Sequence, residues 1–153
     1  MTIATDQIKV VLLEDEDLLR GLLGEWLSGQ PDIELLDSFR SLEAFNASLH
    51  TSVQHADIII SDLFLADGDG LDAILRVIAS HSKSQKLVVI SGRPTADLFD
   101  RLSNGMSGGW AFLLKNSNGL ANLRQALQAV QSGLVMVDPD LKKLFSSPGL
   151  SSS

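Results

Sequence analysis

The sequence has no cysteine among its 153 residues, which excludes disulfides and thiolate-ligated metals. Its three histidines, His50, His55 and His81, are scattered along the chain rather than set at the spacings of a structural zinc site. Basic residues are outnumbered, 12 Lys and Arg against 19 Asp and Glu. The resulting charge of -7 argues against a surface that grips nucleic acid or an anionic membrane unaided. No apolar run approaches ~18 residues, so no membrane span is expected. Met1–Gln7 is polar and lacks the basic-then-apolar layout of a secretory signal. Residues 1–7 are therefore expected to be a disordered N-terminus, and the protein to be cytoplasmic. What is present, 44% apolar and 20% charged residues, suits one domain with a sizeable core.

Short apolar runs punctuate the chain at Ile8–Leu13, Ile33–Leu36, Ile58–Ile60, Leu87–Ile90 and Phe112–Leu114. Being apolar on both faces, they suit strands of a parallel sheet covered on both sides. Helical periodicity fills the gaps. It is carried by Leu18, Leu19, Leu22, Leu23, Trp26 and Leu27; by Leu42, Phe45 and Leu49 behind a Ser41 cap; and by Leu71, Ile74, Leu75 and Ile78. Pro94–Asn104 is a shorter helix, and Leu120, Leu123, Leu127 and Val130 form another stripe. Alternating β and α units predict an α/β fold: a doubly wound five-stranded parallel sheet with helices on both faces. Residues 134–153 read as a C-terminal extension, with a short helix opened by Asp138-Pro139 and then a Ser-rich linker.

In such a sheet, ligands bind beyond the carboxyl ends of the strands. The predicted strand ends carry Glu14-Asp15, Asp62, Ser91 and Lys115. Any one carboxylate after a strand is ordinarily a helix cap, and one lysine a solvated charge. Three carboxylates on one rim, however, repel one another unless a counterion joins them. A hard divalent cation, Mg2+ with retained waters, resolves that conflict and neutralises an incoming phosphoryl group. The chemistry expected is transient acyl-phosphate formation on an aspartate, with Ser91 and Lys115 binding the phosphoryl oxygens.

The segments V-L-L-E-D-E, I-I-I-S-D-L-F-L-A-D-G-D-G-L-D, V-V-I-S-G and F-L-L-K resemble the receiver domain of two-component response regulators over residues 8–133. The resemblance implies the flavodoxin-like receiver fold with strand order 2-1-3-4-5. It implies Asp62 as the phosphoacceptor, with Glu14, Asp15, Asp62 and the backbone carbonyl of Phe64 around Mg2+. Ser91 matches the switch hydroxyl, Gly92 the small residue beside it, Lys115 the family's lysine and Phe112 the switch aromatic. A sensor histidine kinase is the implied phosphoryl donor. Glu14 replaces the commoner Asp, Ala66 stands where many members have Pro, and Asn116 follows Lys115 where many carry a cis-proline. The last feature is similar to the NarL/LuxR-type subfamily, whose members carry a C-terminal helix-turn-helix. The chain is thus expected to be the receiver part of a DNA-binding transcription regulator, reaching DNA only through an output domain, with a homodimer possible. It is expected to phosphorylate and dephosphorylate itself rather than turn over a substrate. The alternative is a degenerate receiver acting as a phosphorylation-independent binding module. A dehalogenase-type hydrolase is disfavoured, because Phe64 stands where its second Asp is needed. A calcium loop at Asp67–Gly70 is disfavoured because Leu65 and Arg76 occupy ligand positions.

Overall fold

The computed structural model describes residues 6–65, 68–81 and 83–145. Residues 1–5 of the expected N-terminal tail, Ala66 and the Ser-rich stretch 146–153 lie outside the described residues. The order is β1 (Ile8–Leu13), α1 (Asp17–Ser28), β2 (Ile33–Phe39), α2 (Leu42–Ala47), a π-helical turn (Leu49–Val53) and β3 (Ile58–Ser61). A two-stranded hairpin, β4 (Phe64–Leu65) with β5 (Gly68–Asp69), leads into α3 (Gly70–Ser80). Then come β6 (Lys86–Ser91), α4 (Ala96–Gly105), β7 (Trp110–Leu114), α5 (Ser117–Leu120), α6 (Leu123–Gln131), β8 (Val135–Val137) and α7 (Pro139–Phe145).

The main sheet is parallel throughout, in the order β2-β1-β3-β6-β7-β8. Alternation along each strand sends side chains to two separate cores. Val11, Leu13, Ile59, Leu87, Val89 and Phe112 meet Phe45 of α2, Leu71 and Ile74 of α3, and Leu98 and Leu102 of α4. Val10, Leu12, Ile58, Ile60, Val88 and Leu113 meet Leu23 and Leu27 of α1, and Leu123, Leu127 and Val130 of α6. The caps are local. Ser41 Oγ accepts from Ala44 N at the start of α2, and Thr95 Oγ1 from Leu98 N at the start of α4.

The expected five strands keep their 2-1-3-4-5 order as β2-β1-β3-β6-β7, but the sheet has six. Gly133, at φ 83°, turns the chain after α6, and Val135–Val137 pairs in parallel with Trp110–Phe112. This edge strand is short and half exposed, so it leaves little apolar signal. Residues 134–145 thus contribute both a strand and a core residue, since Leu141 of α7 is fully buried against the α2–α3–α4 face. Asp138 ties the end together as foreseen for an N-cap. Its Oδ1 accepts from Asp140 N at 2.9 Å and its Oδ2 from Leu114 N at 3.1 Å. The stripe expected as one helix around Leu120–Val130 is broken into α5 and α6, with Asn116 Oδ1 accepting from Gly119 N at 2.8 Å to start the first.

Gly119 is required there by close approach. A methyl group at this position would collide with the Leu114 carbonyl oxygen at the end of β7 and come within 3.0 Å of Asp138 Oδ2. Gly119→Ala is expected to destabilise the protein by about 3 kcal/mol through this overpacking. Gly21→Ala, with nothing within 4 Å, is expected to be neutral or slightly stabilising. Urea-unfolding midpoints of the two variants test the contrast.

Candidate functional site

Strand order reverses at β1, with β2 on one side and β3, β6 and β7 on the other. The crevice beyond the carboxyl ends of β1 and β3 is therefore where an open parallel sheet binds ligands. Leu13 pairs with Ser61, so the next residues, Glu14 and Asp62, leave the sheet side by side. Asp62 N donates to Leu13 O at 3.0 Å, and Glu14 N to Phe39 O at 3.0 Å. At the end of β7, Lys115 N donates to Ser91 O at 2.9 Å, which carries the lysine over the same crevice.

The Lys115 ammonium meets three carboxylates there. Its Nζ lies 2.7 Å from Asp62 Oδ2, 3.0 Å from Glu14 Oε2 and 2.8 Å from Glu16 Oε1. Glu14 and Asp62 are almost wholly removed from solvent, at 2% and 6% side-chain exposure, so these are buried pairs rather than weak surface ones. Glu14 is also aimed by its own turn, because its Oε2 accepts from Glu16 N at 2.9 Å. This is a bond within the turn rather than a helix cap, because the N-cap of α1 is Glu16 and no side chain caps that helix. Glu16, the third acid of the E-D-E run, was not singled out from sequence. The adjacent acids were its only signal, and its reach to Lys115 depends on long-range folding.

Asp15, half buried, completes an acidic trio. Ligand oxygens of Glu14, Asp15 and Asp62 lie within 4.8 Å of one another. Burial raises the Glu14 carboxyl above its usual range. Hydrogen bonds from Glu16 N and Lys115 oppose that shift, and the nearby Asp62 charge reinforces it. For Lys115, burial alone would lower the value, but hydrogen bonds to Asp62, Glu16 and Glu14 outweigh it and raise the net result. Lys115 therefore stays an ammonium at neutral pH. One ammonium, Lys115, does not by itself balance the Glu14, Asp15 and Asp62 carboxylates. An oxygen-seeking divalent ion fits that donor set.

The other expected residues are placed as follows. Ser91 ends β6 fully buried, and its Oγ accepts from Arg93 N at 3.1 Å. A Cβ added to Gly92 would lie 3.9 Å from Lys115 Cβ, so the residue after Ser91 borders the lysine. Phe64 opens β4, two positions beyond Asp62. Phe112 is fully buried in mid-β7, within the α4-side core beneath the rim rather than on it. Trp110, from the same strand, makes an edge-on contact with Phe99 of α4, with ring centroids 5.6 Å apart, which makes it a packing residue.

The receiver domain of RcsB from Salmonella enterica serovar Typhimurium, solved with phosphomimetic BeF3-, superposes with a TM-score of 0.74. The match covers 91% of this chain and 99% of that one at 18% identity. This is a response-regulator receiver fold. A LuxR-family two-component response regulator from Aurantimonas sp. SI85-9A1 matches with a TM-score of 0.75 over 95% of this chain and 100% of that one, at 16% identity. Among curated proteins, the transcriptional regulatory protein LiaR of Bacillus subtilis (strain 168) is 26% identical over 127 residues, 82% of this chain. A protein-glutamate methylesterase/protein-glutamine glutaminase of Nitrobacter hamburgensis is 27% identical over 86 residues, 56% of this chain. The receiver-like chain spans 57% of LiaR and 21% of that esterase. No family model matches the sequence. Among the described residues no helix is long and apolar enough to cross a membrane.

Proposed function

We propose that the chain is the receiver of a two-component response regulator of the NarL/LuxR type, phosphorylated on Asp62 by a sensor histidine kinase. The observation that carries this reading is the convergence of Asp62, Glu14, Asp15 and Lys115 at the strand-order reversal. In the phosphoryl transfer an Asp62 carboxylate oxygen forms the new O–P bond. The donor's P–N bond breaks, and the freed imidazole nitrogen takes up a proton. Glu14, Asp15, Asp62 and the Phe64 carbonyl would hold Mg2+, which would offset the negative charge of the arriving phosphoryl group. Lys115 keeps a fixed positive charge 2.7 Å from the acceptor carboxylate and is placed to bind a phosphoryl oxygen. The buried Ser91 hydroxyl, next to the small Gly92, is the switch donor, and Phe112 is the core aromatic whose packing couples the rim to α4. The coupling is a local charge change that biases a two-state surface.

Leu18 and Leu22 of α1 are strongly exposed apolar residues one turn apart, on the helix that starts just after the acidic cluster. They supply a contact surface for the kinase where the donor must approach. RcsB has been seen as dimers bound to DNA. By analogy the reading includes a homodimer, contact with DNA only through a separate output domain, and a cytoplasmic location. The receiver unit begins at Ile8. It is a switch that gains and loses its own phosphoryl group, not a turnover enzyme.

Incubation with Mg2+ and phosphoramidate is expected to give a single covalent phosphoryl adduct, found by intact-mass spectrometry and mapped to the peptide holding Asp62. Chelation of Mg2+ before the donor is added is expected to prevent it. Absence of an adduct at millimolar donor would instead support the phosphorylation-independent binding module.

A further inference from the structure

The three histidines that look dispersed in the sequence lie around one surface depression, with His55 ahead of β3 and the acidic rim beyond its other end. His50, Gln54, His55, Ser80, His81 and Lys83 line it. Two local features organise the imidazoles. The first is the π-helical turn after α2, where Val53 N donates to Ser48 O at 3.1 Å, five residues back. His50 lies within this turn and His55 just beyond it, and both line the same depression. The second is Gln85, which is 98% buried, with only 2% of its surface exposed. Its amide nitrogen donates to Val53 O at 2.7 Å and Ala56 O at 3.0 Å, so its Oε1 must face His81 Nδ1, 2.7 Å away. An oxygen acceptor there puts the proton of neutral His81 on Nδ1 and leaves the Nε2 lone pair unprotonated. This is the orienting bond that metal-ligating histidines characteristically make through their other nitrogen.

Charge argues for a cation over an anion. Lys83 is already held by Asp57, with Nζ to Oδ1 at 2.9 Å, and donates to His55 O at 2.9 Å. The depression thus offers imidazole lone pairs rather than an uncompensated positive charge. We propose that His50, His55 and His81 form a surface site for a divalent transition-metal ion of the Zn2+, Ni2+ or Cu2+ class, for which imidazole is a preferred ligand. Among the described residues, only the acidic trio has three ligand atoms within 4.8 Å of one another. Closing the histidine site therefore takes rotamer changes at His50 and His55, both of which are exposed. A bound ion clamps the π turn to the end of α3. It is an accessory site rather than one on which folding depends, which agrees with the absence of structural-zinc spacing.

The test is calorimetric titration of the full chain with Zn2+ in saturating Mg2+, which keeps the acidic trio occupied. One equivalent of Zn2+ is expected to bind and to raise the melting temperature. His50→Ala, His55→Ala and His81→Ala are each expected to weaken binding by at least about tenfold and to abolish the thermal shift. Asp62→Asn is expected to leave both readings unchanged, so this result stands or falls separately from phosphorylation. No Zn2+ binding would overturn the proposal. So would an affinity in His81→Ala within about threefold of the parent, or a loss of binding in Asp62→Asn.

Discussion

Asp62→Asn is expected to lower phosphoryl-adduct formation by at least about 10³-fold, to below detection by intact mass. Asn has nearly the same shape and still offers an oxygen to the Lys115 ammonium, 2.7 Å from the native Oδ2. It lacks the anionic oxygen that forms the O–P bond, and it removes one of the three carboxylates that favour a divalent ion. The fold should survive. One fewer buried charge relieves the repulsion that helps raise Glu14, while Lys115 keeps its pairs with Glu14 and Glu16. The lost Asp62–Lys115 ion pair opposes that relief, so stability is expected to change by no more than about 1 kcal/mol, or about 2–4 °C in melting temperature. An adduct persisting in Asp62→Asn at parental yield would show that another side chain is the acceptor.

Lys115→Met has the largest expected effect on stability. The side chain fills the same space but strands Glu14 and Asp62, two buried carboxylates, without their common cation. Removing one partner of a buried pair costs about 3–5 kcal/mol, which in a chain of this size lowers the melting temperature by about 6–20 °C. Mg2+ is expected to recover part of that loss, because it supplies positive charge to the same carboxylates. A melting temperature unchanged within 2 °C (about 0.5–1 kcal/mol) would mean that the ammonium adds nothing net to the fold.

The same variant makes the pH dependence readable. Glu14 holds its proton to a higher pH in the folded, metal-free protein than its ordinary value of 4.5. Its contribution to stability is thus fully present below that value and declines as pH rises through the folded one. Losing the Lys115 hydrogen bond raises the Glu14 value further, so the decline still begins near the ordinary value but is expected to extend to higher pH and run deeper in Lys115→Met. Lys115 itself behaves oppositely in range: its raised value leaves its contribution intact up to the ordinary 10.5, and it is lost only in stronger alkali. Asp17 and Asp32, each held low first by a hydrogen bond from an arginine, Arg20 and Arg124 respectively, contribute above their ordinary value of 3.8 and lose that contribution in acid. They are common to both proteins, so they cancel in the difference between the two melting profiles.

Continuous apolar runs and helical stripes made five strands and their neighbouring helices legible in the sequence. A strand buried on both faces is apolar throughout, and a helix buried on one face repeats every 3.6 residues. The residues at the strand ends were legible for the same reason: Glu14, Asp62, Ser91 and Lys115 stand where an apolar run stops. Other features were not legible, because they rest on contacts between segments far apart in the chain. Val135–Val137 becomes a strand only because β7 offers an open edge. The break between α5 and α6 interrupts a stripe that runs on unbroken in the sequence. Glu16 joins the cluster only once Lys115 has been carried across by β7. Likewise, the wide turn after α2 and the buried Gln85 bring together histidines whose sequence positions show no common purpose. The sequence alone determined the five central strands, the main helical stripes and the polar groups that stop them, since short-range hydrophobic patterning encodes burial. Tertiary structure alone decided which of those groups meet, since charge pairing and shared pockets depend on register and crossover, which no local pattern carries.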